Sequence, residues 1–174
     1  FILFISLNLF AQENTESKVQ KIDELVGKYT ENGIFNGSVL VAENGSVIFE
    51  KGYGYSDREQ KSPNTPETKF RIASITKQFT AMLIMQLVEK GKIKLDAKLS
   101  DYITYYRKDN ADKITIHNLL THTSGVPNYT NNEFMEKHLS KSITPKDLII
   151  TFGNGDLEFE PGSEYNYSNT GYVM

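Results

Sequence analysis

The chain has no cysteine and no tryptophan among its 174 residues. Without cysteine, disulfides, thiol nucleophiles and zinc–thiolate sites are excluded within it. Nor is there an excess of positive charge. Nineteen Lys and Arg face 22 Asp and Glu, for a net charge of −3, and no basic stripe gathers them, so no nucleic-acid partner is expected. Proline is scarce, at five residues. No Gly-x-Gly-x-x-Gly phosphate cradle and no Gly-x-Ser-x-Gly elbow occurs. The longest apolar run, Phe1 to Ala11, is too short to span a bilayer as a helix. It reads as the core of a signal peptide with cleavage after Ala11, which predicts an exported, periplasmic or extracellular protein with no stable membrane span.

What the chain does contain is enough apolar residue, 39% with ten Tyr and ten Phe, to build a core. Val19, Ile22, Val26 and Tyr29 recur at helical spacing and predict an amphipathic helix over 16–29 lying on a sheet. Asn44-Gly45 between Gly37–Glu43 and Ser46–Glu50 predicts a hairpin with a type I′ turn. After Pro63 and Pro66 the pattern becomes helical. Thr144-Pro145 supplies an N-cap and a first helical residue, with the helix running through Phe152. Thr170–Met174 reads as another helix start. The expected organisation is a leader over 1–11, a helix and hairpin over 12–65, and a helical region over 66–174.

Chemistry concentrates at two places. Ser74 and Lys77 stand at i and i+3 of a predicted helix from Ser74 to Lys90, so hydroxyl and amine share one face. The apolar stretch Ala81–Met85 predicts that the middle of this helix is buried on all sides. A cation in the first turn opposes the helix dipole. Burial and dipole together push the amine toward the neutral form that can accept a serine proton. The competing reading makes Ser74 an N-cap, although a capping box would place Glu or Gln at position 77. The second place is Tyr167-Ser168-Asn169, after the Pro161-Gly162 turn. Tyr129-Thr130-Asn131 repeats the Tyr-x-Asn pattern in a polar loop, where an ordinary loop aromatic is the simpler account. His117 and His122 are five apart, wrong for two metal ligands on one helix face. The turn Thr121–Gly125 reads as structural, and His138 as solvated.

Three ordered segments, Phe70–Asp96, Ile114–Pro127 and Phe159–Gly171, together resemble the beta-lactamase-related serine hydrolases, close to the class C beta-lactamases, penicillin-binding D,D-peptidases and related esterases. The resemblance implies an α/β (α+β) fold with an antiparallel sheet flanked by helices and an inserted helical domain. It implies Ser74 as the acylated nucleophile, with its own N–H forming half of an oxyanion hole. Lys77 would be the general base or the cation that lowers the pKa of Tyr167. Tyr167 would carry protons to the leaving group and from the deacylating water. Asn169 would orient Lys77 and hold a substrate carbonyl.

The family's Lys-Thr-Gly or His-x-Gly strand is absent from these residues, which predicts an N-terminal portion lacking the C-terminal half of the sheet. The expected activity is hydrolysis of an amide or ester carbonyl through an acyl-enzyme, without metal or organic cofactor, on a small-molecule or peptide substrate: a beta-lactam, a D-amino-acid peptide or a small ester. A non-hydrolytic binding or sensor module and a non-functional fragment are the alternatives.

Overall fold

The computed structural model describes residues 3–131 and 143–174, with side chains from residue 15 onward. The chain forms two compact units, Phe1–Arg71 and Ile72–Met174.

The first unit opens with helix α1, Leu3–Glu31. It begins well before the predicted residue 16, because no proline or glycine interrupts residues 3–26 and the leader carries the good helix formers Leu3, Leu7, Leu9 and Ala11. Among the described residues no helix is long and apolar enough to cross a membrane. Val19, Ile22 and Val26 are half-buried as the spacing requires, whereas Tyr29 is 49% exposed. The helix ends at Gly33 in the left-handed region, with the Ile34 N–H donating back to Tyr29 O at 2.9 Å.

Strands β1, Gly37–Glu43, and β2, Ser46–Tyr53, pair antiparallel. Asn44 and Gly45 both have positive φ, 51° and 79°, as a type I′ turn demands. A bulge between Val41 and Ala42 shifts the register from Glu43↔Ser46 to Val41↔Phe49. α1 docks on β2 through Asp23, which accepts from Lys51 Nζ at 2.7 Å and from Tyr53 Oη at 2.6 Å. Phe49 and Tyr53 are buried. A second small ribbon, β3 (Tyr55–Asp57) with β4 (Ser62–Pro63), continues from the hairpin.

The second unit is helical. A 3-10 turn, Ala73–Ile75, leads into α2, Thr76–Glu89. Short helices follow: α3 (Lys108–Ala111), α4 (Ile116–Leu120), α5 (Pro145–Leu148) and α6 (Asn169–Val173). Their caps are local and readable. Thr115 and Asn118 form a reciprocal box at α4, and Thr144 accepts from the Asp147 N–H at 3.1 Å with Pro145 in the first turn. α5 runs on through a π-helical stretch, Ile149–Gly153, which covers the predicted extent to Phe152. The core holds Leu99, Ile103, Tyr106, Ala111, Ile114, Ile116, Leu119, Val126 and Ile149.

The predicted burial of α2 on all sides is corrected. Only one flank, with Ile84, packs on this core. Met82 and Leu83 are each 61% exposed, and Ile75 and Phe79 continue the same open stripe. An all-apolar helix needs a neighbour on every side to be buried, and among the described residues α2 has one.

The α/β (α+β) class expected from the resemblance holds: antiparallel strands with a packed helix, followed in the chain by a helical region.

Candidate active site

Ser74, Lys77, Tyr167 and Asn169 converge in the second unit. Ser74 sits in the 3-10 turn just before α2, one residue after Ala73, whose φ of 45° lies in the left-handed region. Neither turn nor helix has a side-chain cap hydrogen bond at its start. The cap reading of Ser74 therefore fails: its Oγ is 2.7 Å from Tyr167 Oη instead. Lys77, one turn on, donates through Nζ to Ser74 Oγ at 3.4 Å and to Asn169 Oδ1 at 2.7 Å. Ser74, Lys77 and Asn169 lie at the wall of a groove of about 350 Å³.

The electrostatics ease the ionisation of Tyr167. The Lys77 ammonium, then the contact with Ser74, hold the phenol below its ordinary value of 10.0. Lys77 Nζ also lies 4.9 Å from the centre of the Tyr167 ring and 5.5 Å from that of Tyr172, two faces that attract a cation. Tyr172 moves the other way, its phenol raised by burial and by neighbouring Tyr167. Its hydroxyl is engaged elsewhere, donating to Leu120 O at 2.9 Å.

Tyr167 and Asn169 are placed by the residue between them. Ser168 caps α6, accepting the Gly171 N–H at 3.3 Å. That puts Asn169 in the first turn and leaves Tyr167 just outside it. Asn169 is fixed further by Asn128: the backbone N–H of Asn169 donates to Asn128 Oδ1 at 3.1 Å and its Nδ2 to the same oxygen at 3.3 Å. Nδ2 also donates to Thr130 Oγ1 at 3.3 Å. The amide is thus turned toward protein acceptors, with its oxygen on Lys77.

Asn128 and Tyr172 carry no signal of a site in the sequence, while Thr130 lies in the repeat that reads as an ordinary loop and His122 in the turn that reads as structural. Asn128 belongs to the same polar loop and has no distinguishing spacing of its own. Tyr129, set aside as a loop aromatic, begins a 3-10 turn, Tyr129–Asn131, and with Thr130 lines the groove. The Thr121–Gly125 turn is structural as expected. His122 O accepts from the Asn166 N–H at 3.0 Å, Thr123 O from Gly162 at 2.8 Å, and Gly125 O from Glu158 at 2.8 Å. Yet the His122 side chain also reaches the site, its ring centre 4.4 Å from that of Tyr167. His117 is exposed on α4. His138 lies outside the described residues.

Comparison with known proteins identifies the family of the chain. The family model described as Beta-lactamase matches residues 19–174. Protein flp of Staphylococcus aureus (strain NCTC 8325 / PS 47) is 33% identical over 164 residues, covering 92% of this chain and 32% of the relative. The chain thus spans about a third of the length of that curated relative. Among solved structures, EstCE1, a hydrolase with promiscuous acyltransferase activity, superposes with a TM-score of 0.74 at 28% identity, over 94% of this chain and 46% of that one. A class C beta-lactamase in complex with cefoxitin gives a TM-score of 0.74 at 26% identity, over 91% and 43%. The matched segment takes in all four converging side chains, and this chain belongs to the beta-lactamase family, within the penicillin-binding-protein-like superfamily of serine hydrolases.

Proposed function

We propose that the protein is a serine hydrolase that acts through an acyl-enzyme on an amide or ester carbonyl. The observation that carries this reading is the 2.7 Å contact between Ser74 Oγ and Tyr167 Oη beside Lys77. Tyr167, as phenolate, takes the Ser74 proton while Oγ attacks the carbonyl carbon, whose π electrons move to its oxygen. The Ser74 N–H faces that oxyanion as one donor. Collapse expels the amine or alkoxide, which leaves with the proton held by Tyr167. Water then gives a proton to Tyr167 and its oxygen to the acyl carbon, and Ser74 departs as the leaving group and recovers a proton. The cation–π contacts and the Asn169 oxygen suit Lys77 to the cationic role, keeping Tyr167 ionisable.

The substrate class follows the resemblance: a beta-lactam, a D-amino-acid peptide or a small ester. EstCE1 and a cefoxitin-bound enzyme both stand among the structural neighbours, which supports this breadth. The apolar leader over 1–11 supports export. The test is intact-mass labelling, with a fluorophosphonate, of protein expressed from its complete reading frame. One adduct that disappears in Ser74→Ala is expected. No adduct on the folded protein overturns the reading in favour of a binding module.

A further inference from the structure

Tyr167 is held by His122 at three points. His122 O accepts the N–H of Asn166 at 3.0 Å, and His122 Nδ1 accepts the N–H of Ser168 at 3.2 Å. These are the residues on either side of Tyr167. The imidazole then stacks on the Tyr167 ring, 4.4 Å between centres and 32° between planes. The imidazole also packs against Tyr172, at 5.1 Å and 34°, and Tyr165 stands edge-on at 6.1 Å. Tyr172 is itself pinned by its bond to Leu120 O.

A phenol that shuttles protons must keep its oxygen within hydrogen-bond reach of the serine, and displacement of a reacting group by about 1 Å costs on the order of a hundredfold in rate. A tyrosine on a loop has two free side-chain torsions with which to lose that position. The backbone grip fixes where the side chain starts, and the stack fixes its second torsion.

His122 occupies the left-handed region, with φ of 59°, a conformation that is strained for non-glycine residues and that clusters at functional sites. The left-handed turn lets one residue present both its carbonyl and its ring to the same neighbouring segment. Because Nδ1 accepts, the neutral imidazole carries its proton on Nε2. Burial and nearby Lys77 both favour that neutral state. The charged and titratable groups facing the ring are Lys77 from α2, Tyr172 from α6, and Tyr165 and Tyr167 from the preceding segment.

We propose that His122 is a positioning residue for the proposed acylation, acting through Tyr167 by gripping the backbone on both sides of it and stacking on its ring. This rests on the serine-hydrolase reading above.

The experiment is a double-mutant cycle on the protein from its complete reading frame, with the fluorophosphonate labelling rate as readout and thermal melting as the folding control. His122→Gly keeps the left-handed backbone accessible and removes the side chain. His122→Asn tolerates the same backbone and restores an acceptor near Nδ1. His122→Gly is expected to label about tenfold or more slowly, and His122→Asn within about threefold of wild type. In a Tyr167→Phe background, His122→Gly should change the rate by less than about twofold, because its effect passes through the Tyr167 hydroxyl.

Equal losses with and without that hydroxyl would show a general structural role and overturn the proposal. So would wild-type labelling by folded His122→Gly. Ser74→Ala separates the two readings: if it still labels, the serine-hydrolase reading fails, whereas loss of its label together with an additive cycle sinks the His122 proposal alone.

Discussion

Tyr167 Oη and Ser74 Oγ, 93 residues apart in the chain, stand 2.7 Å from each other. No secondary-structure hydrogen bond requires this contact, and it brings a phenol to an otherwise weak nucleophile. Tyr167→Phe removes only the oxygen. It is expected to lower ester turnover and fluorophosphonate labelling by about 10²–10⁴-fold, the usual contribution of a general acid–base group. The thermal midpoint should stay at its wild-type value. A Tyr167→Phe enzyme that turns over normally would remove Tyr167 from the proton path.

The left-handed φ of Ala73 sits immediately before the nucleophile. An alanine there stores about 1–2 kcal/mol, while a glycine would relieve it and raise the entropy of the unfolded chain by a smaller amount, about 0.4–1 kcal/mol. Ala73→Gly should therefore melt no lower than wild type and yet label more slowly, because the turn that aims Ser74 is less rigid. A clear drop in melting temperature would mean that the turn stores no strain.

Local signals in the sequence translated directly into structure. Asn44-Gly45 needs two positive φ angles and has them, and Thr144-Pro145 carries its capping bond and fixed φ into α5. Such features depend on atoms within a few residues of one another. Ser74 with Lys77, and Tyr167 with Asn169, were each legible as a pair from helical spacing and one tripeptide, whereas the expectation that the two pairs meet, across more than ninety residues of chain, came from the family resemblance. His122 was not legible. Its role depends on a left-handed backbone and on rings from a segment more than forty residues away, neither of which leaves a periodic trace. The exposure of α2 was also hidden, since apolar residues announce that burial is favourable without saying where the covering partner is.

Gly125 connects the turn to the segment that carries Tyr167. Its φ is 72°, and a Cβ placed there would lie 2.3 Å from Phe159 O, a backbone atom that cannot swing away. Gly125→Ala is expected to destabilise by about 2 kcal/mol or more, through both the steric contact and the disfavoured φ. Urea denaturation would read this as a lower midpoint with unchanged slope. Wild-type stability in this variant would mean that the 158–166 segment can withdraw from the turn.

The tie between α1 and β2 has a pH signature. Lys51 first, and then Tyr53, hold the Asp23 carboxyl below its ordinary value of 3.8. A depressed carboxylate contributes stability that is present above the unfolded pKa and disappears as pH falls through the folded one. The window therefore lies below about pH 4. Asp23 is 42% exposed on its side chain, so the contribution is under about 1 kcal/mol. Asp23→Asn should flatten the wild-type decline in melting temperature on the acid side and cost little at pH 7. An unchanged acid limb would show that the ion pair forms equally well in the unfolded chain.

Lys77 should be visible in the pH dependence of acylation. Tyr167 acts as a base only once it has lost its proton, so labelling is expected to rise with pH through a midpoint below 10, because Lys77 and Ser74 depress the phenol. Lys77→Met keeps the length of the side chain but removes the charge that lies 4.9 Å from the ring centre. Its midpoint should move up toward 10, and its rate near neutrality should fall in proportion to the lost phenolate. At a pH above both midpoints the two proteins should converge, apart from any part Lys77 plays in holding Asn169 in place. If Lys77 were instead the neutral base that takes the serine proton, Lys77→Met would lose activity at every pH without a shifted midpoint. The labelling rate measured from pH 6 to 10.5 in wild type and Lys77→Met distinguishes a cation that tunes Tyr167 from an amine that does the chemistry itself.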